Sequence, residues 1–310
     1  MKFAFVMPGQ GSQSLGMMSA YGESPVIRAT FDEASEAIGR DLWRLVNEGP
    51  AEALAQTVNT QPLMLTADIA VWRLWLAMGG PAPALLAGHS LGEYAALVAA
   101  GALDLKTAAP LVELRARAMQ EAVPAGSGAM AAILGLATEK IAAICAASAQ
   151  GEVVEAVNFN APEQTVIAGH KAAVERAIDA CKAAGAKRAV LLPVSAPFHS
   201  SLMRPAAERL QAALANVEIR PPQIPVIHNV DVMMASDPAA IRAALVRQAA
   251  APVRWVETLR AMQAAGITHV FECGPGKVLA GLTKRCADGL AGAALHDRAA
   301  LESTLALVKG

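Results

Sequence analysis

With 310 residues, a formal charge of −1 and few charged side chains, the chain is long enough to bury a sizeable core, and it offers no basic field for nucleic acid and no acidic tail. Its four cysteines, Cys145, Cys181, Cys273 and Cys286, form no C-x-x-C pair, which fits free thiols better than a disulfide framework. The opening apolar run is too short for a signal sequence, and longer ones are broken by Asp68, Arg73, His89 and Glu93, so the expectation is a cytoplasmic protein with no membrane span.

Lys2 to Met7 is predicted as a short buried strand closed by the turn Pro8-Gly9-Gln10-Gly11-Ser12-Gln13. The turn has no Gly-Lys-Ser/Thr, and Ser14 stands where a G-x-G-x-x-G loop needs its last glycine, so neither phosphate-loop pattern is met. It remains either a backbone-exposing turn with Gln10 aimed above the sheet or a solvated loop. Helices are predicted near Ser24 to Ile38 and Ala51 to Gln56. Another is predicted from Thr60-Gln61-Pro62 to Met78, with Thr60 as its cap and Pro62 in its first turn.

Leu85 to Glu93 is the stretch around which the chain is organised. An apolar run stops at Gly88-His89-Ser90-Leu91-Gly92, and an alanine-rich helical pattern follows at once. A strand that turns this sharply into a helix needs small residues on both sides, and Gly88 and Gly92 supply them. Ser90 then occupies a strained elbow, with the Leu91 amide at the new helix's N-terminus available to developing negative charge.

Asp104 is predicted to cap a helix reaching Glu121, with Pro110 bending it or delaying its start. From Pro124 the texture changes. A strand (Ala129 to Leu134), a helix (Thr138 to Ala149), two strands (Val153 to Asn158, Thr165 to Ala168), a helix (Lys171 to Ala184) and a strand (Arg188 to Val194) follow in βαββαβ order, the ferredoxin-like arrangement. We expect an inserted subdomain over residues 125–195, within a catalytic domain of residues 1–124 and 196–310. An irregular loop, Ser195 to Ser200, leads to a helix from Met203 to Ala215. Then come a strand (Pro225 to Asn229), a helix (Pro238 to Ala249), a helix (Val256 to Ala265) and a strand (Thr268 to Cys273). Strands alternating with helices predict an α/β fold with a largely parallel sheet.

A serine attacks at neutral pH only if a base takes its proton. His89 is adjacent to Ser90, but neighbours on a tight turn point apart. His170, His269 and His296 have structural or solvated contexts, and His228 ends a strand. His199 follows a proline and an aromatic residue in a loop, where side chains tend to be held over a cleft. No acid is marked as the partner of the histidine: Asp231 and Glu272 are each plausible by position. Arg115, taken alone, fits a surface helix arginine paired with Glu113 or Glu121.

Gly9-Gln10-Gly11-Ser12-Gln13, Gly88 to Glu93, Arg115 with Met119-Gln120, Asn158-Phe159-Asn160, Pro197-Phe198-His199, Gln248 with Pro252-Val253-Arg254-Trp255, and Gly274-Pro275-Gly276 occur together in this order. In this the chain resembles malonyl-CoA:acyl carrier protein transacylases, from Met1 to about Leu282. The resemblance implies an α/β-hydrolase-like large domain with a ferredoxin-like insertion. It implies Ser90 as acyl-accepting nucleophile and His199 as general base, oriented by backbone carbonyls near Gln248. It also implies an oxyanion hole from the amides of Gln10 and Leu91, Arg115 as a two-point ligand of the malonyl carboxylate, and Asn158 and Phe198 at the substrate. Ala116 departs from the glycine that often follows this arginine. The implied partners are malonyl-CoA and acyl carrier protein, with no nucleic acid or membrane partner. No metal or bound cofactor is implied, because coenzyme A and phosphopantetheine arrive as parts of the substrates, and a monomer is expected. Fatty acid synthesis is the implied setting. A discrete acyltransferase of polyketide synthesis or malonate decarboxylation stays open, as does a serine esterase or thioesterase with the same elbow. Phe198 either excludes an α-methyl group from the substrate or anchors the His199 loop.

Overall fold

The computed structural model describes residues 1–194 and 196–310. Strand β1 (Phe3–Met7) is followed by helices α1 (Pro25–Ile38), α2 (Leu42–Glu48), α3 (Ala51–Ala55) and α4 (Thr57–Ala77). Strand β2 (Leu85–Gly88) leads into α5 (Gly92–Ala99) and α6 (Leu105–Glu121). Then come β3 (Gly128–Leu134), α7 (Thr138–Ser148), β4 (Val154–Ala161), β5 (Gln164–His170), α8 (Lys171–Ala183) and β6 (Arg188–Leu191). The chain continues with α9 (Arg204–Leu214), β7 (Val226–Ile227), α10 (Pro238–Ala249), α11 (Trp255–Ala264), β8 (His269–Glu272), α12 (Val278–Cys286), β9 (Ala291–Ala294) and α13 (Arg298–Lys309).

Two sheets result. The first has the order β7-β2-β1-β8-β9 with every pairing parallel. Alternation along its strands feeds two cores. Phe3, Phe5 and Met7 of β1 enter a cluster with Trp75 and Phe271, whereas Ala4 and Val6 enter another with Trp255 and Leu259. Burial on both faces is what a parallel sheet with helical crossovers requires. The second sheet, β4-β5-β3-β6, is antiparallel and drawn wholly from the βαββαβ segment. One face packs on α7 and α8 through Ala131, Ile133 and Ile167. Its other face turns Met130, Val157, Val166 and Ala168 toward the large core. The sheets are stitched where β4 meets the segment before α11: the Val253 amide donates to Val157 O (2.8 Å) and the Phe159 amide to Val253 O (2.9 Å).

Several predicted boundaries are corrected. Helix α4 begins three residues before Thr60, which lies inside it with its hydroxyl donating to the Gln56 carbonyl. Pro62 is tolerated there because the carbonyl it would have engaged, Val58 O, accepts from Arg40 Nη2 instead (3.4 Å). Helix α6 starts at Leu105 under an Asp104 cap (Oδ1 to the Thr107 amide, 2.7 Å), so Pro110 does not delay it. The predicted strand over 225–229 shrinks to two residues, and β4 runs three residues further than expected. Helices α2, α12 and α13 and strand β9 were not predicted. The subdomain limit at 195 and the first residue of the predicted loop fall at Ser195, outside the described residues. Among the described residues, no helix is long and apolar enough to cross a membrane.

Candidate active site

The first requirement of the elbow is space. A Cβ at Gly88 would lie 1.9 Å from the Gly92 carbonyl, and one at Gly92 would lie 2.1 Å from Met7 O, so no side chain fits at either position. Between them Ser90 takes φ 54°, a left-handed conformation that non-glycine residues rarely hold. His199 is also left-handed, at φ 65°. The loop after β6 brings it back over the elbow, so that Ser90 Oγ and His199 Nε2 stand 2.6 Å apart.

The other ring nitrogen fixes the proton's place. His199 Nδ1 lies 2.9 Å from the Gln248 carbonyl oxygen, which can only accept. Nδ1 therefore carries the hydrogen, and Nε2 presents a lone pair to the serine hydroxyl. Burial, and then the nearby Arg115 charge, pull the His199 pKa down to about 3, so the ring is neutral throughout the physiological range. The acids left open by sequence do other work. Glu272 accepts from the Ala280 amide at the start of α12, and Asp231 pairs with Arg247. No spacing pattern could have identified a backbone carbonyl as the orienting group.

Arg115 is 2% exposed, projecting from α6 into the cavity. Nη1 donates to Gln61 Oε1 (2.7 Å), and Nη2 to Gln248 Oε1 (3.0 Å) and Ser90 Oγ (3.2 Å). Its guanidinium also lies 5.4 Å from the Tyr94 ring centre. All of these partners are neutral. Glu113 pairs with Arg40 and Arg117, and Glu121 with Arg209, so the surface pairing considered for Arg115 does not form. A buried cation held only by neutral acceptors is a ready site for a carboxylate.

The cavity above the pair encloses about 100 Å³ and is lined by Gln10, Leu91, Arg115, Asn158, Phe198 and Met130 among others. The amides of Gln10 and Leu91 have no acceptor among the described residues. Asn158 Oδ1 is likewise buried without a donor among the described residues. Phe198 both lines the cavity and packs in the large core. His89 also lines the cavity, but its ring is engaged elsewhere: its Nε2 lies 2.8 Å from Asn160 Oδ1 and the ring packs on Trp255. A larger open groove of about 660 Å³, beside Arg28 and Trp43, shares no lining residue with this cavity. Among the described residues no group of three or more His, Cys, Asp or Glu is arranged to hold a metal ion.

Sequence reasoning missed two further residues here. Gln61 carries no motif beyond its place beside Pro62. Asn229, whose side chain reaches the Ser90 amide at 2.7 Å, is 139 residues distant, and nothing in local spacing points to it.

A glycine-flanked serine elbow, a neutral histidine on its hydroxyl and a buried arginine whose hydrogen-bond acceptors are all neutral make up the site. The chain belongs to the acyl transferase domain family, whose model matches residues 4–289. It is 55% identical over 305 residues to the malonyl CoA-acyl carrier protein transacylase of Salmonella typhimurium, covering 98% of this chain and 99% of that one. Among solved structures it is similar to the acyl-carrier-protein S-malonyltransferase of Burkholderia pseudomallei 1710b, with TM-score 0.97 and 58% identity over 99% of this chain and 100% of the other. It is also similar to PlMCAT:AntF (holo), a type II PKS acyl-carrier protein in complex with its malonyl-transacylase, with TM-score 0.98 and 54% identity over 99% of this chain and 100% of that one.

Proposed function

We propose that the chain transfers a malonyl group from malonyl-CoA to the phosphopantetheine thiol of an acyl carrier protein, through an ester on Ser90. The observation that carries this reading is that the Ser90 hydroxyl lies within hydrogen-bonding distance of both His199 Nε2 (2.6 Å) and Arg115 Nη2 (3.2 Å). His199 Nε2 takes the hydroxyl proton as Oγ attacks the thioester carbonyl. The oxyanion rests on the Gln10 and Leu91 amides, which are preorganised and have no acceptor among the described residues. The coenzyme A thiolate leaves with the proton from His199, and the carrier's thiol then runs the same steps in reverse. Arg115 takes the malonyl carboxylate by two parallel N–H donors, a geometry lysine lacks. Asn158 Oδ1 and the Phe198 ring meet the acyl group. Every reacting group is a side chain or amide of this chain, so the reaction as proposed needs no metal or bound cofactor.

We further propose that residues 1–124 and 196–310 form an α/β-hydrolase-like catalytic domain, with 125–195 as a ferredoxin-like insertion. The parallel β7-β2-β1-β8-β9 order, with the serine at the end of β2, and the antiparallel β4-β5-β3-β6 order support this division. Arg115 argues against a simple esterase, which has no use for a buried carboxylate ligand. Both fatty acid and polyketide carriers remain within the reading, since PlMCAT serves a type II PKS carrier.

The test is to incubate the protein with malonyl-CoA, with and without carrier protein, and to follow free malonate. Transfer to the carrier with slow malonate release in its absence is expected. Rapid malonate release that the carrier does not suppress would make the protein a hydrolase.

A further inference from the structure

Ser90 is unusual in that both of its polar backbone groups are held by side chains from distant elements. Its amide donates to Asn229 Oδ1 (2.7 Å), and its carbonyl accepts from Gln248 Nε2 (2.9 Å) as well as from the Glu93 amide of the first helical turn (3.1 Å). Asn229 reaches across the elbow, because its Nδ2 also donates to Gly88 O (2.7 Å). The orientation of that amide is dictated by its neighbours: an N–H can meet only its oxygen and a carbonyl only its nitrogen. The strand side of the left-handed serine is thus clamped by the fully buried Asn229 side chain, and its helix side is held by Gln248.

The clamp has its own anchor. The Asn229 backbone N–H donates to Glu93 Oε2 (2.8 Å), and the same oxygen accepts from Gln248 Nε2 (3.1 Å). Glu93 Oε1 lies 2.8 Å from His228 Nδ1. Gln248 in turn offers its carbonyl to His199 Nδ1. The backbone of the nucleophile and the ring of its base therefore meet at a single buried carboxylate. The turn that presents Asn229 is itself strained, with Val232 at φ 58° and its amide donating back to His228 O (3.0 Å).

We infer that Asn229 is a positioning residue for the nucleophile: it holds Ser90 in the left-handed elbow that sets Oγ against His199 Nε2, and the Glu93 carboxylate ties that clamp to the base. This rests on the reading of Ser90 as nucleophile. The pair stands 2.6 Å apart, and misplacement of a reacting group by about 1 Å costs on the order of 10²-fold in rate.

The test uses a small neutral sulfonyl fluoride, which modifies an activated serine without needing Arg115. Its rate on the wild type is compared with Asn229→Ala, Asn229→Asp and the control Ser90→Ala, with thermal melting to establish the folded fraction. Asn229→Ala should react roughly 10²-fold more slowly. Asn229→Asp keeps an acceptor for the Ser90 amide but sets an oxygen against Gly88 O, so it should fall between the two. In steady-state transfer the loss should lie in kcat, with KM for malonyl-CoA nearly unchanged, a split that partial unfolding does not mimic in the folded fraction. Wild-type reactivity in folded Asn229→Ala, or in Asn229→Asp should the alanine variant not fold, overturns the inference while leaving Ser90 in place. Labelling that persists in Ser90→Ala instead removes the nucleophile reading, and this inference with it.

Discussion

The two sheets use strain and exposure in opposite ways. The parallel sheet is buried on both faces, and its second strand runs directly into a left-handed serine whose backbone is tied on both sides. In the antiparallel segment the left-handed non-glycine residue among those described is Gln150, exposed at the turn between α7 and β4 and absent from the cavity wall. The edge strand β6 leaves Val190 and Leu191 nearly half exposed. Ser90 and His199, the pair we propose as reacting groups, are thus carried by the over-determined frame, since a left-handed side chain persists only where surrounding bonds hold it. The antiparallel sheet supplies a wall of the cavity, through Met130 and Asn158.

That contrast can be tested on both sides of the cleft. On the frame side, His199→Ala should slow acylation by about 10²–10⁴-fold, measured by rapid-quench with malonyl-CoA. In the wild type the same assay should show no acid limb near the ordinary histidine value of 6.5. His199 is held neutral down to about 3, so the base stays unprotonated as pH falls through 6 and 5. A limb at 6–7 would mean that the ring is open to water.

Arg115→Ala should lower malonyl transfer relative to acetyl transfer by roughly 10²-fold or more, since breaking one side of a desolvated charge pair costs about 3–5 kcal/mol. Acetyl transfer should also fall modestly, because Arg115 touches Ser90 Oγ and Gln248. Equal losses for both acyl groups would return the arginine to a structural role. Phe198→Ser should raise methylmalonyl transfer relative to malonyl in direct competition. The change is expected near 10-fold, the lower end of what one methyl group is worth in a pocket. An unchanged ratio with both rates reduced would make the ring only an anchor of the His199 loop. On the far face of the wall, Ile167→Val should cost about 0.5–1.5 kcal/mol in thermal or denaturant unfolding. It should leave acylation untouched, because Ile167 packs on α7 and α8, away from the cleft. A parallel loss of acylation would mean that the antiparallel sheet sets the frame too.

The legibility of the sequence follows the same division. The elbow was readable because glycine, serine and an alanine-rich helix leave a local signature, and β3 to β6 were readable in order because apolar periods alternate cleanly there. Strand β9, Ala-Gly-Ala-Ala, has no branched or aromatic residue to mark it, and β7 has only two residues. Helix α2 did offer a signal, Asp41 capping the Arg44 amide, but its seven residues give too little period to stand out. In the site, local spacing marked side chains and not their supports, and only the resemblance placed backbone carbonyls near Gln248 against His199. A histidine ordinarily oriented by an acid is here placed against a backbone carbonyl, and the Asn229 clamp spans 139 residues. Such partners are created by the fold and leave no spacing behind.

The central claim is that malonyl passes through an ester on Ser90 on its way to a carrier protein. Brief exposure to malonyl-CoA without acceptor, followed by intact mass and peptide mapping, tests it most directly. A single malonyl group should be found on the peptide that contains Ser90. It should be absent from Ser90→Ala and should vanish when carrier protein with its phosphopantetheine is added, as that protein gains malonyl. An adduct on another residue, or transfer that proceeds at full rate in Ser90→Ala, would contradict the account.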